Sequence, residues 1–161
     1  GSASNQANAG QTVATDHAPF DFEKQKPMGK ADFTKIPNGI PSLEERINLL
    51  YTHGVRTGKI DLHTFVNVAS TQVAKLFDLF PKKGCIQPGA DADLVVFDPG
   101  YRGTISAKTQ TMNVDYSAFE GWTLEGRASV VTVRGQIAAQ NGKFCGTLGR
   151  GQFLQRKPSH F

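Results

Sequence analysis

Apolar side chains recur at the three- and four-residue spacing of helices through the stretch 43–77. The first predicted helix follows Ser42–Glu45, whose sequence is a capping box in which each terminal side chain can bond the backbone N–H of the other residue. Asp61 is predicted to cap a second helix, and Ser70 or Thr71 to open a third. The pattern therefore predicts a helical region that ends near residue 80.

Beyond residue 80 the pattern changes to short apolar runs that are separated by glycine and proline. These runs predict β-strands at five places: Ile86, 94–97, 104–105, 130–133 and 137–139. Asn141-Gly142 predicts a tight hairpin turn, because both residue types tolerate a positive φ. Near the start of the chain the pattern predicts one more short, buried strand at 11–15. The polar segment 21–41 that follows is long enough to suggest a functional loop.

Composition and charge exclude some classes of function. The chain has 161 residues, of which 39% are hydrophobic and 20% charged, and its net charge is +4. The basic residues form no stripe, so nucleic acid is not expected as a partner, and no apolar run approaches the roughly 20 residues of a membrane span. Cys85 and Cys145 lie far apart without a paired spacing, which predicts two thiols in a reducing compartment.

The first candidate for chemistry is Asp16, in the stretch TVATDHAPF. A carboxylate directly after a buried strand, ahead of a long loop and a helix, is the layout of an active-site rim in a barrel. From position alone, an Asp that caps the turn up to Pro19 is the alternative. His17 is expected to be a structural hydrogen-bonding partner of this region. The remaining histidines, His53, His63 and His160, have no metal-ligand spacing.

The second candidate is Asn38, in the stretch Ile36-Pro37-Asn38-Gly39. An Asn-Gly pair permits a tight turn that presents its backbone N–H and C=O groups outward. Those groups could pair with a planar cyclic amide, and an ordinary surface turn is the alternative.

Several stretches together resemble the C-terminal third of the dihydropyrimidinase, or D-hydantoinase, branch of the amidohydrolase superfamily. They are TVATDHAPF, IPNG, KKGCIQPGADADLVVFDP, NVDYSAFEGW and VVTVRGQIAAQNGKF. The resemblance implies an α/β fold, with the last strand and helices of a metal-dependent (β/α)8 barrel at 7–80 and strands of a small β-sandwich at 81–148. A tag or disordered start at 1–6 and an extended tail at 149–161 complete the predicted organisation.

The resemblance also implies the chemistry. Two zinc ions activate a bridging hydroxide that opens the ring of dihydrouracil, dihydrothymine or a 5-substituted hydantoin. Asp16 matches the family's metal ligand and general base and acid, and Asn38 matches the residue whose backbone holds the substrate. The bridging carboxylated lysine and the ligand histidines of the family have no counterpart here. The chain is therefore expected to be a fragment that is inactive alone, and to need the rest of its own barrel. The family implies a cytoplasmic homotetramer.

Three other interpretations remain beside this one. Non-enzymatic scaffolds related to the collapsin-response mediator proteins share the KG…DADLVV region but depart from the enzymes at the last-strand Asp and at IPNG. The presence of both Asp16 and Asn38 in this chain disfavours that interpretation. Allantoinase stays open, whereas dihydroorotase is disfavoured because Phe20 stands where that enzyme places a histidine for a charged substrate. The chain could also be an assembly module without chemistry. A lone barrel strand exposes its edges, so aggregation, swapping or partial disorder before about residue 40 is expected of the isolated chain.

Overall fold

The computed structural model describes residues 12–156, and their backbone forms two compact units. The first unit comprises 14–59 and 99–127, and the second comprises 12–13, 60–98 and 128–156. Each unit therefore combines chain from both sides of residue 80, and the domain boundary predicted there stays a prediction. The predicted start at 1–6, His160 and the end of the predicted tail lie outside the described residues.

The first unit carries short helical segments. Two 3-10 turns, Lys26–Gly29 and Phe33–Lys35, lie in the long polar loop. Helix α1 spans Arg46–Leu50 and continues directly into a π-helical turn at Tyr51–Val55. The apolar side chains that are buried in this unit are those of Tyr51, Ile105, Leu124 and Pro41.

The predicted capping box does not start α1. The helix begins at Arg46, and the residue before it, Glu45, makes no side-chain cap bond. The Ser42 hydroxyl instead donates to the Thr15 carbonyl at 3.1 Å, and a Glu45 carboxylate oxygen accepts from the Ser117 hydroxyl at 3.0 Å. Contacts to distant parts of the chain thus replace the local capping bonds that the sequence favoured.

In the second unit, helix α2 spans Leu62–Val66 and helix α3 spans Gln72–Leu76. The predicted Asp61 cap is confirmed, because its carboxylate accepts the Thr64 N–H at 2.7 Å. The third helix begins after Thr71 as predicted, but a π-helical turn at Asn67–Thr71 joins it to α2 without a break. Phe65, Val68 and Ala74 on this helical run are buried.

The β-rich half forms one four-stranded sheet in the order β1-β2-β3-β4. The strands are β1 at Val95–Thr104, β2 at Thr123–Val133, β3 at Gln136–Gln140 and β4 at Lys143–Phe144. Two of the predicted short strands, 94–97 and 104–105, merge into the single strand β1. Proline interrupts an inner strand but is tolerated at an edge, and β1 is an edge strand, so Pro99 does not end it.

Two tight hairpins follow one another at the end of the sheet. Strands β2 and β3 are antiparallel, with Val133 opposite Gln136, and β3 pairs antiparallel with β4, with Gln140 opposite Lys143. Both loops have two residues at positive φ: Arg134 and Gly135 at 48° and 75°, Asn141 and Gly142 at 49° and 78°. These values are the type I′ geometry that matches strand twist, so the hairpin predicted at Asn141-Gly142 is confirmed.

Two other predicted strands are wrong. Gln11 lies outside the described residues, and 12–15 is neither fully buried nor part of the sheet. A strand needs a neighbouring strand for its backbone groups, and here the Val13 N–H donates to the helical Val68 carbonyl at 3.2 Å instead. Ile86 is 87% exposed in a loop.

Lys83, Asp91 and Asp93 form a cluster of charged side chains, the charged corner, just before β1. The Lys83 ammonium pairs with the carboxylates of Asp91, at 2.8 Å, and Asp93. Asp93 also accepts the Arg134 N–H at 2.7 Å. Burial opposes ionisation of both Lys83 and Asp93, but it is outweighed by the bonds of Lys83 to Asp91 and Asp93, and by the bonds of Asp93 to Lys83 and the Arg134 N–H. The pKa of Lys83 is therefore raised and that of Asp93 lowered.

Candidate active site

Asp16 lies in the first unit with its side chain exposed. Its backbone has a φ of 48°, in the left-handed region that residues other than glycine seldom adopt. Within residues 12–156 its carboxylate has no hydrogen-bond or ion-pair partner. Unusual backbone conformations of this kind cluster at functional sites, and a carboxylate without an internal partner is available to a ligand.

Ser42 is bonded to the residues on both sides of Asp16, to the backbone of Thr15 and to the ring of His17. Its hydroxyl donates to the Thr15 carbonyl at 3.1 Å, and its N–H donates to His17 Nδ1 at 3.1 Å. In this contact the ring nitrogen Nδ1 is the acceptor. The structural role expected for His17 is consistent with this contact. Ser42 was not predicted as a site residue, because its sequence context indicates a helix cap.

The loop that carries Asn38 is bonded to the same segment. The Ala18 N–H donates to the Ile40 carbonyl at 3.4 Å. Gly39 lies so close to Ala18 that an added Cβ would lie 2.6 Å from the Ala18 Cβ and carbonyl oxygen. The structure thus brings the two predicted site segments together inside one unit.

A lysine fixes the backbone around Asn38. Lys26 Nζ donates to the carbonyl oxygens of Pro37 and Gly39 at 2.6 and 2.7 Å, and it lies 5.5 Å from the centre of the Phe20 ring. No sequence pattern indicates Lys26 as a site residue. It stands in an aperiodic loop with three other lysines, and its partners are 11 and 13 residues away.

Asn38 itself is exposed. Within the described chain neither its backbone nor its side chain has a hydrogen-bond partner. The turn expected here is wrong in detail, because Gly39 has a φ of 105° but Asn38 has no positive φ and no regular turn is formed. The two bonds from Lys26 to the Pro37 and Gly39 carbonyls explain this difference, because they hold the loop on both sides of Asn38.

A second carboxylate anchors the start of the long loop. Asp115 accepts the backbone N–H groups of Phe22 and Glu23 at 2.6 and 2.9 Å, and the Phe22 ring packs against Tyr116 with 5.5 Å between centroids. The bond from Glu23, followed by that from Phe22, lowers the pKa of Asp115. The start of the loop after Phe20 is therefore held by Asp115 and Tyr116, which lie in NVDYSAFEGW, one of the stretches that carry the resemblance.

The described residues do not form a metal centre by themselves. Among residues 12–156 no three His, Cys, Asp or Glu side chains come together as a metal site would require. His53 packs edge-on against Trp122 at 5.3 Å, and His63 lines a cavity with the apolar Leu62 and Val66. Asp16 therefore offers one carboxylate without a second ligand from the described chain.

Cys85 and Cys145 are both unpaired thiols, as predicted.

Residues 3–138 match the sequence model of the amidohydrolase family. The chain belongs to this family. Curated relatives of this amidohydrolase chain include a D-hydantoinase from Geobacillus stearothermophilus, 49% identical over 146 residues, which are 91% of this chain and 31% of that protein. A dihydropyrimidinase from Rattus norvegicus is 44% identical over 147 residues, 91% of this chain and 28% of that protein.

Solved structures give the same result. The amidohydrolase chain superposes with a TM-score of 0.90 on a D-hydantoinase (dihydropyrimidinase) from Thermus sp., at 60% identity over 94% of this chain and 33% of that one. The predicted resemblance and the predicted α/β class of the amidohydrolase barrel and sandwich are confirmed. The chain spans about a third of the length of the relatives it matches.

Within residues 12–156, no helix combines the length and apolar character that a membrane crossing requires.

Proposed function

We propose that the protein carrying this chain is a cyclic amide hydrolase of the dihydropyrimidinase and hydantoinase type. Its substrates would be dihydrouracil, dihydrothymine or 5-substituted hydantoins, and its products N-carbamoyl amino acids. The observation that supports this proposal is the identity of 49% to a D-hydantoinase and 44% to a dihydropyrimidinase across 91% of the chain.

In this proposal Asp16 is the acid and base of the reaction. Its carboxylate takes a proton from the attacking water and returns it to the ring nitrogen that leaves. Its exposure and its lack of a partner among residues 12–156 support this role, because a carboxylate already bonded within the protein is a poorer base. We also assign Asp16 as a metal ligand. One carboxylate cannot hold two zinc ions, so the proposed zinc pair and its carboxylated lysine require ligands outside residues 12–156.

Asn38 is the proposed substrate-binding residue. Its backbone N–H and C=O are a donor and an acceptor on one residue, which complements the adjacent C=O and N–H of a cyclic amide. Their availability in the described chain supports this role.

We further propose that the enzyme is a cytoplasmic homotetramer. The two unpaired thiols support a reducing compartment, and the tetramer rests on the resemblance.

The test is hydrolysis of dihydrouracil and of a 5-substituted hydantoin by the full-length protein that carries this sequence, supplied with zinc. The expected result is ring opening to the N-carbamoyl amino acid. Asp16→Asn should lower kcat by about 10²–10⁴-fold, the usual contribution of general acid–base catalysis. Glu23→Gln is the matched control, because Glu23 is a nearby exposed carboxylate, and it should keep its activity. Inactivity of the wild-type protein on both rings, or full activity of Asp16→Asn, would contradict the proposal.

A further inference from the structure

We propose that Lys26 is a positioning residue that presents the Asn38 backbone to the substrate. This inference rests on the proposed function, because it assumes that Asn38 binds the cyclic amide. It assigns a role in substrate binding to a residue outside the motifs that carry the resemblance.

The geometry gives Lys26 a specific target. Its ammonium donates to the Pro37 and Gly39 carbonyls at 2.6 and 2.7 Å, the two carbonyls on either side of Asn38. Bonds from a charged donor at these distances are short and strong. The side chain is partly buried, and the Phe20 ring lies 5.5 Å from Nζ. Lys26 therefore bonds the Asn38 loop while contacting a residue that lies four positions after Asp16.

The two bonds leave the groups of Asn38 itself available. Lys26 holds the peptide group between Pro37 and Asn38 and the peptide group between Gly39 and Ile40. The peptide group between them carries the Asn38 carbonyl, which has no partner in the described chain. One ammonium thus fixes the backbone on both sides of a free acceptor.

The same bonds strengthen the donor that Asn38 offers. The Pro37 carbonyl and the Asn38 N–H belong to one peptide group. When a cation bonds that carbonyl oxygen, it draws electron density from the peptide, and linked hydrogen bonds of this kind reinforce one another. A neutral side chain at position 26 would lose both the positioning and the polarisation, although it could keep the loop packed.

The experiment compares Lys26→Met, Lys26→Arg and Lys30→Met in the full-length protein that carries this sequence. Lys30→Met is the matched control, because Lys30 is an exposed lysine in the same loop. Two readouts are needed: kcat and KM for a 5-substituted hydantoin, and backbone hydrogen exchange of the segment 36–42 measured by mass spectrometry without substrate.

We expect Lys26→Met to raise KM about 10- to 100-fold, the equivalent of one charged hydrogen bond, with a smaller change in kcat. It should also speed exchange of 36–42. Lys26→Arg should recover most of the KM, and Lys30→Met should match the wild type. Unchanged exchange in Lys26→Met would overturn the inference whether or not the protein is active. Faster exchange with an unchanged KM would also overturn it, because Lys26 would then be structural alone. A wild-type protein inactive on both rings would instead refute the proposed function.

Discussion

At the scale of single residues, the carboxylate of Asp16 and the backbone of Asn38, the two groups proposed to act, have no hydrogen-bond partner within residues 12–156. Asp16 and Asn38 are exposed and have no hydrogen bonds within residues 12–156, whereas their neighbours are bonded closely. Ser42 holds Thr15 and His17, and Lys26 holds Pro37 and Gly39. Rigid neighbours around an unpartnered group keep that group in place for a ligand without occupying it.

The contact between Gly39 and Ala18 gives a prediction at this scale. In Gly39→Ala the new methyl group would lie 2.6 Å from the Ala18 Cβ, on a backbone with a φ of 105°. Both the clash and the strained φ oppose folding, so the free energy of unfolding should fall by about 2–4 kcal/mol. Chemical denaturation measures this change.

Gly89→Ala is the matched control for that variant. Gly89 has a similar φ of 89° but no atom within 4 Å of the added Cβ. It should therefore show only the backbone cost, about 1–2 kcal/mol. Equal losses in the two variants would mean that Gly39 does not pack against Ala18 as described.

The sequence predicted Asp16 and Asn38 but not the residues that hold them. The two residues stand in motifs of the resemblance, so their positions could be read from the sequence. Ser42 has a local interpretation, a helix cap, that is plausible on propensity alone. Its actual partners are 25 and 27 residues away, and no periodicity indicates such contacts.

At the scale of elements, the fold follows local signals where the chain turns sharply and departs from them elsewhere. Arg134-Gly135 and Asn141-Gly142 form the hairpins because few residue pairs accept two positive φ values in succession. The predicted strand at 12–15 is absent, because a strand depends on its neighbour and 12–15 has none in the described sheet. The hairpin turn at Asn141-Gly142 could therefore be predicted from the sequence, whereas the turn expected at Asn38-Gly39 and the strand pairing could not.

The charged corner at Lys83 gives a prediction for the second unit. In Lys83→Met, Asp91 and Asp93 lose their cation, and the Lys83 and Asp91 side chains are partly buried, with 18% and 20% of their surface exposed. We expect a loss of about 1–3 kcal/mol in the free energy of unfolding. Lys82→Met is the control, because Lys82 is the exposed neighbour, and it should change little. An equal loss in both variants would show that the ion pairs are not the cause.

The same corner sets a dependence on pH. The pKa of Asp93 is lowered, so its contribution is complete above the ordinary value of 3.8 and is lost as the pH falls through the lowered pKa. The pKa of Lys83 is raised, so its contribution is complete below 10.5 and is lost as the pH rises through the raised pKa. Denaturation of the wild type and of Lys83→Met across this range should show larger losses at both ends in the wild type, because Asp93 keeps only the bond from the Arg134 N–H in the variant. Parallel curves for the two proteins would contradict this explanation.

At the scale of the whole molecule, large apolar side chains are exposed over much of the described chain. Phe153, Leu148 and Phe33 are 90%, 85% and 81% exposed. Exposed apolar surface of this extent is a feature of interfaces. The chain spans about a third of its relatives' length, and this exposure is consistent with further protein covering these surfaces.

The 161-residue chain on its own should therefore self-associate. Light scattering should give a mass that rises above 17.4 kDa with concentration. Ile86→Lys, which places a charge at a side chain that is 87% exposed, should reduce that rise. A constant mass of 17.4 kDa at all concentrations would show that the exposed apolar surface does not cause association.

We propose that Asp16 is one ligand of a metal-dependent active site whose other ligands lie outside residues 12–156. The most direct test is the zinc content per molecule of the purified 161-residue protein, measured by elemental analysis after loading with zinc and removal of the excess. We expect a value near zero, because the Asp16 carboxylate has no second ligand group beside it among residues 12–156. A value near two per chain would contradict it, because the chain would then hold a complete metal pair by itself.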